Sequence, residues 1–398
     1  MIRKTRLFTP GPTPLLPAAQ FAMAAADIHH RTAEFRALYS RVLAQLKEFV
    51  GTKNDVIILS SSGTGAMEAA VSNLTSPGDR VLILTGGKFG ERWSALAKAF
   101  GCAVDVVNVP YGKTFSLDEV KEALKLETRV VFMQATETST GVRHATEAVA
   151  KLLKEANSEA LLVVDAITGL GTSTLDMDAW GVDVLIGGSQ KSVMIPPGLS
   201  YLALSDRAWD RMEATYNPRY YFDLRKERKN AKNGESAYTP AVALIAALGA
   251  ALDWIAAQAA TPDNPKGDLV KGREKLVDNA ELIAAMTRAA MIAMGFRLFA
   301  TSNGAAATAV LAPEGTDSGV VVKELKSRFG AIITNGQGEM KGQIFRIAHL
   351  GFFDYMDTIA LIGALEQVIV KSLPQLGVKF GDGLIAAQKV YAEWSPKA

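Results

Sequence analysis

The feature that most constrains this chain is an alternation that begins near residue 55. Short β-branched runs, Ile57-Ile58-Leu59, Val81-Leu82-Ile83-Leu84, Val130-Val131-Phe132-Met133, Leu161-Leu162-Val163-Val164 and Val184-Leu185-Ile186, are mostly separated by helical patterns such as 89–100, 117–126 and 145–156. This alternation predicts crossovers and a mainly parallel sheet with helices on both faces, an α/β fold. Leu199 to Leu204 reads as one further strand.

At 398 residues the chain exceeds one ordinary core, so a large domain and a smaller one are expected. After an alanine-rich helix beginning near Pro240, the stretch Thr261-Pro262-Asp263-Asn264-Pro265-Lys266-Gly267 is dense in turn formers and marks a boundary. Beyond it the pattern reads helix (268–294), strand (307–312), helix (318–329), strand (343–349) and helix (355–373), an α+β unit. The expected division is a segment 1–15, a large domain 16–258 and a small domain 259–398.

The 43 basic and 41 acidic side chains leave a net charge of +2, so no overall field favours nucleic acid or an anionic membrane. Met1 to Arg6 carry the charge of a signal peptide's first region, but Phe8-Thr9-Pro10-Gly11-Pro12-Thr13-Pro14 replaces the apolar stretch that should follow; a cytoplasmic chain is expected. The longest uncharged apolar run, Ala241 to Leu252, falls short of the ~20 residues of a spanning helix and predicts a buried one. Cys102 is the only cysteine, which excludes intrachain disulfides and cysteine-rich zinc sites; it reads as a small core residue near the start of a strand.

In an open parallel sheet, ligands bind at the carboxyl ends of the strands, and four such positions are informative. Ser60-Ser61-Ser62-Gly63-Thr64-Gly65 lies between a strand and a helix, where free N–H groups and the helix dipole suit a phosphate, though a plain capped helix start fits as well. Gly63-x-Gly65 is half of a dinucleotide fingerprint, but Glu68 stands where its third glycine belongs. Asp165 follows an apolar strand directly, a position for pairing with a metal or a cationic ligand nitrogen, or for capping the next turn. Lys191, in Gly187-Gly188-Ser189-Gln190-Lys191-Ser192, can be desolvated into the neutral amine that forms an imine with an aldehyde; the alternative is a solvated surface charge. Arg346 interrupts the apolar strand Gln343 to Ala348 and should meet a carboxylate, either a substrate's or a structural partner's.

Together these residues resemble the class V aminotransferases of the fold-type-I pyridoxal-phosphate superfamily, on the alanine-glyoxylate and serine-pyruvate branch. The likeness runs from Thr9-Pro10-Gly11-Pro12 through Ser62-Gly63-Thr64, Glu137-Thr138-Ser139-Thr140-Gly141 and Val164-Asp165 to Gly188-Ser189-Gln190-Lys191, Tyr238-Thr239-Pro240 and Arg346. It implies a mainly parallel seven-stranded sheet sandwiched by helices, with a smaller α+β C-terminal domain, and pyridoxal 5'-phosphate as cofactor. By the same resemblance Ser62, Gly63, Thr64 and Gln190 hold the phosphate, Asp165 pairs with the pyridinium nitrogen and Thr138 bonds the ring oxygen. Phe89 stands where many relatives place a stacking Trp, and it can stack without donating an N–H. Ser236 and Thr239 match positions that reach the neighbouring subunit's phosphate, which implies a homodimer with shared sites. Arg346 would grip the substrate α-carboxylate, with the Gly11 backbone close to it, and no metal is implied.

The chemistry this implies is ping-pong transamination by way of pyridoxamine phosphate. An amino acid displaces Lys191 from the imine, and the freed amine carries a proton from the α-carbon to the cofactor carbon. Alanine or serine with glyoxylate or pyruvate is the expected pairing. Segments His29-His30-Arg31-Thr32, Tyr220 to Leu224 and Gly336-Gln337-Gly338 also resemble class V aspartate aminotransferases, which need a second cation, with Arg31, Arg36, Arg219 and Lys341 as candidates. His29 and His30 read as structural more readily than as lining the entrance, and neither suggests a metal. A cysteine desulfurase would need its nucleophile on a loop near the second domain, where Cys102 is not. Lyase, decarboxylase or hydrolase chemistry, a nucleotide-binding oxidoreductase and a non-catalytic pyridoxal-phosphate regulator are the remaining alternatives.

Overall fold

The apolar runs become the middle of a seven-stranded sheet built from β1 (Asp55–Leu59), β2 (Arg80–Thr85), β3 (Ala103–Asn108), β4 (Thr128–Gln134), β5 (Leu161–Asp165), β6 (Val184–Gly188) and β7 (Ser200–Leu204). The structure is a computed structural model that describes residues 3–156 and 158–395. The outer ends of the expected N-terminal segment and C-terminal domain, residues 1–2 and 396–398, lie outside the described residues. The strand order is β1-β7-β6-β5-β4-β2-β3. Strands β2 to β6 pair in parallel, while β7 runs antiparallel to both β6 and β1. The link between β6 and β7, residues 189–199, contains no helix, and without a crossover the chain returns antiparallel.

Successive strand residues point to opposite faces, so each run feeds two cores. Ile83, Phe132 and Val163 pack with Met67 of the helix Gly63–Leu74 and Trp93 of the helix Lys88–Ala99. Leu84, Met133 and Val164 face the other way, toward Val42 of the helix Ala33–Val50 and Leu248 of the helix Val242–Ala257. Phe132 is fully buried with its ring centroid 4.6 Å from that of Trp93, and truncating such a ring costs about 3–5 kcal/mol. The run Ala241 to Leu252 is indeed a buried helix, and among the described residues no helix is long and apolar enough to cross a membrane. Cys102 precedes β3 directly but is only half-buried, and its thiol donates to Thr75 Oγ1 at 3.3 Å.

A second core lies over an antiparallel sheet of Ala307–Leu311, Ile344–Ala348 and Thr334–Asn335. The helix Leu269–Ala293 connects the two: Leu269 is buried in the first core, Met286, Ala290 and Met291 in the second. The N-terminal segment is a further connection. Arg6–Leu7 pairs in parallel with Ala331–Ile332, and Phe8 exchanges backbone bonds with Ile332 and Ala348. Farther on, Thr13 N donates to Gln190 O at 3.3 Å and Leu16 N to Met194 O at 2.9 Å, which lays the segment across the loop that carries Lys191.

Candidate active site

The carboxyl ends of the central strands open on a cavity of ≈ 200 Å³ lined by Gly11, Ser62, Gly63, Thr64, Phe89, Thr138, Asp165, Gln190 and Lys191. Residues from the N-terminal segment and from five strand ends therefore meet at one place. Arg92, Thr136, Ile167 and Thr168 complete the wall.

Ser62 stands at the N-cap of the helix Gly63–Leu74 with extended backbone (φ −74, ψ 169), yet its side chain makes no cap hydrogen bond. The hydroxyl is unspent on the helix; Gly65 N turns back to the Ser62 carbonyl at 2.9 Å, but the Gly63 and Thr64 N–H groups have no carbonyl of their own helix to reach. This favours an anion cradle over a capped start. A Cβ on Gly63 would come within 2.3 Å of Ile167 Cδ1, so a larger residue there would push the Ile167 side chain aside at the cavity wall. Thr64 Oγ1 accepts from Arg92 Nη1 at 2.8 Å.

Asp165 is 6% exposed, and its Oδ1 accepts the Ile167 N–H at 2.9 Å. The turn-capping alternative is thus partly realised, but with one oxygen only. Burial pushes its carboxyl up to about 6 and the buried Glu137 charge adds to this, while the Ile167 N–H, Lys191 and Arg92 pull the other way. Lys191 is 8% exposed, not the solvated surface charge of its bland reading. Burial brings its amine down to about 8; the Asp165 carboxylate opposes that shift and the Arg346 guanidinium reinforces it. Its Nζ donates to the Pro10 carbonyl, and a Cβ on Gly11 would meet Nζ at 2.4 Å. The N-terminal segment is therefore pressed against the amine.

Arg346 does not form the structural salt bridge that was its alternative reading. It is 3% exposed in its strand, but no carboxylate forms an ion pair with it among the described residues; Nη1 donates to Thr138 O at 3.0 Å, and Nε and Nη2 to Asn335 O at 3.3 and 3.0 Å. Carbonyls hold the guanidinium in place and leave part of its donor fork unspent. Burial lowers its pKa to about 10, against the pull of the Glu137 charge.

Thr138 Oγ1 donates to Thr168 Oγ1 at 2.8 Å. Ser236 and Thr239 do not line this cavity: Ser236 Oγ donates to Glu227 Oε2 at 3.3 Å, and Thr239 is exposed. The exposed His29 and the half-buried His30 stack on each other at 4.6 Å, away from the cavity.

Two residues escape a search confined to strand ends. Glu137 is fully buried and accepts from Phe89 N (3.1 Å), Gly90 N (2.9 Å), Ser139 N (3.0 Å) and Ser139 Oγ (2.5 Å), bolting the start of the helix Lys88–Ala99 to the site. Arg92 sits one helical turn beyond Phe89 with its guanidinium 5.1 Å from the Phe89 ring centroid. The spacing of 89 and 92 on one helix face is the signal that finds it.

A family model described as aminotransferase class-V matches residues 18–304. The chain is 36% identical over 97% of its length, and 98% of the relative's, to the "soluble hydrogenase, small subunit" of a Synechococcus strain. It is 33% identical to the L-aspartate–glyoxylate aminotransferase of Paracoccus denitrificans, covering 100% of this chain and 99% of that one. The solved alanine–glyoxylate aminotransferase of a Nostoc species superposes with a TM-score of 0.83 at 30% identity, over 93% of this chain and 96% of that one.

Proposed function

Because the chain belongs to the class V aminotransferases, we propose that its cavity holds pyridoxal 5'-phosphate and that Lys191 and Asp165 carry the transamination. The observation behind this reading is that a buried acid and a buried amine, brought to about 6 and about 8, face one space. The wall also has unspent groups: the Ser62 hydroxyl caps nothing, and the Gln190 amide, whose Oε1 is buried without a partner, can rotate to offer its N–H groups to a phosphate.

Ser62, Gly63, Thr64 and Gln190 would hold the phosphate, Asp165 the ring nitrogen, Thr138 the ring oxygen and Phe89 one face of the ring. When bound, the cofactor supplies an aldehyde carbon for amine exchange and a ring that withdraws electrons from the substrate α-carbon. Asp165, ionised above about pH 6, keeps a proton on the nitrogen it faces. Lys191, near neutrality at its lowered pKa, takes the α-proton and returns it one position away. Arg346, already oriented by Thr138 O and Asn335 O, turns its free N–H groups to the α-carboxylate, with Gly11 close by. Ser236 and Thr239 are assigned to the site of a second copy, which makes the working unit a homodimer. The division at 15 and 258 and the cytoplasmic location remain parts of the proposal, resting on the turn-rich boundary and the proline-rich start.

For substrate we propose a small donor, alanine or serine, with glyoxylate or pyruvate as acceptor. Besides Lys191, the only cation lining the cavity among the described residues is Arg92; Arg346 does not line it but is bonded to the lining residue Thr138 and is proposed as the carboxylate reader, which leaves little for a second carboxylate. The Paracoccus relative favours aspartate as a second reading. Arg31 and Arg36 both pair with Glu235, beside Ser236, so they would arrive at the partner's site with it, whereas Arg219 is spent on the carbonyls of Ser72, Met212 and Thr215. The hydrogenase name belongs to the Synechococcus protein; one cysteine here offers no thiolate set for a metal cluster.

Borohydride reduction of the loaded protein followed by peptide mapping tests the cofactor, with a pyridoxyl label expected on Lys191. Kinetics with alanine, serine and aspartate against glyoxylate, pyruvate and 2-oxoglutarate test the substrate. A label elsewhere, or no transamination across that panel, sinks the reading.

A further inference from the structure

Arg92 is a guanidinium without an ion pair among the described residues, although the Asp165 carboxylate lies near enough to feel its charge. Arg92 lines the ≈ 200 Å³ cavity with Ser62, Gly63 and Thr64, and its hydrogen bond is to the neutral Thr64 hydroxyl at 2.8 Å. Other arginines of the chain are placed differently: Arg31 and Arg36 close on Glu235, and Arg211 closes on Asp79. A guanidinium at the wall of a cavity, with most of its donor fork unspent, is stabilised by an oxyanion that can take two of its N–H groups together.

Its position is fixed from three sides. Glu137 holds the Phe89 and Gly90 N–H groups, the Ser139 hydroxyl accepts from Lys88 N at 3.1 Å, and the Phe89 ring lies under the guanidinium at 5.1 Å. Thr64 accepts from Arg92, which directs the Thr64 hydroxyl proton elsewhere, toward the cavity or its rim. The hydroxyl, the Gly63 and Thr64 N–H groups and the guanidinium then present donors to one region of the wall.

Resting on the proposed cofactor reading, we propose that Arg92 is a phosphate-binding residue of this site: it supplies the cradle's positive charge, orients Thr64 and binds a phosphate monoester dianion. The ring, by this account, owes Arg92 little, so its contribution depends on whether the ligand carries a phosphate.

The test titrates the cofactor-free protein with pyridoxal phosphate and with pyridoxal, which lacks the phosphate, and measures adduct formation at Lys191 for the wild type, Arg92→Gln and Arg92→Lys. Arg92→Gln is expected to weaken pyridoxal phosphate by about ten- to a hundredfold while pyridoxal stays within about twofold, and Arg92→Lys to fall between. Equal weakening of both ligands, or unchanged affinity for both, overturns the inference. So does a loss confined to the KM of a dicarboxylic amino acid, which would hand Arg92 to the substrate. If the wild type takes up neither ligand at Lys191, the proposed function fails as well, a result separate from wild-type uptake that Arg92→Gln leaves untouched.

Discussion

Asp165 and Asp183 are buried at opposite ends of neighbouring strands, and their surroundings differ in kind. Asp183, 2% exposed before β6, accepts from Leu162 N at 2.9 Å and Ser205 Oγ at 2.8 Å and pairs with Arg207 at 3.3 Å. Asp165, 6% exposed at the end of β5, has one hydrogen bond, from Ile167 N. Burial raises both carboxyls, but only Asp183 has its oxygens committed. The larger recess is also at the Asp183 end, ≈ 460 Å³ and lined by Lys53, Asp178 and Arg207 as well. Neither burial nor volume therefore separates the two ends. Unspent hydrogen-bonding capacity does, because a saturated carboxylate is structural and an unsaturated one awaits a ligand.

The contrast is broken most directly at the lysine. Lys191→Ala should lower kcat by about 10⁴-fold or more while circular dichroism and thermal melting stay near wild type, since the site lies at a cavity rather than in a core. Undiminished turnover in that variant would end the assignment of the open end to chemistry. The aspartates sharpen it next: Asp165→Asn should cost about 10²- to 10³-fold in kcat with little loss of stability. Asp183→Ala should do the reverse, leaving kcat within about twofold but destabilising by about 1–3 kcal/mol in urea titration, because Leu162 N and Ser205 Oγ lose their acceptor. If both variants lose the same property, the distinction between the ends is wrong.

A smaller effect is expected at Arg346. Arg346→Lys keeps the charge but not the planar fork, and steady-state kinetics should show KM for the amino acid rising about tenfold with cofactor affinity unchanged. The smallest effect is a pH midpoint. The neutral amine is the attacking form, so the rate of aldehyde capture by Lys191 should rise with pH through about 8 rather than through 10.5. The Asp165 carboxylate holds that value up, so Asp165→Asn should move the midpoint below 8; an upward move would show that the two groups do not share a field.

Much of this was legible in the residues alone, for reasons that can be named. Runs such as Val130-Val131-Phe132-Met133 are apolar at every position because both faces of β4 are covered, and the groups that follow such runs fall at the ligand end of a parallel sheet. Strand β3 was harder to see: it is an edge with Asp105 bonded to Arg80 and Lys125, and exposed polar positions break the pattern. The two-residue strand Thr334–Asn335 and the helix Asp382–Glu393 gave no usable signal, the first through brevity. The carbonyls that orient Arg346 could not be foreseen, because a backbone carbonyl leaves no mark in a sequence, whereas a carboxylate does. Glu137 and Arg92 acquire their meaning only when the helix start at Lys88 is laid against the loop at Ser139.

Residues 3–12 belong to neither large sheet, yet the Pro10 carbonyl receives the Lys191 amine and Phe8 is laced to Ile332 and Ala348. A chain shortened to begin at Thr13 would retain all seven strands of the main sheet and the buried Leu16 and Ala19 while losing this tether. It would register as folded by bulk spectroscopy with its reactive nitrogen unmoored, so for this protein an intact spectrum is no proof of a competent site.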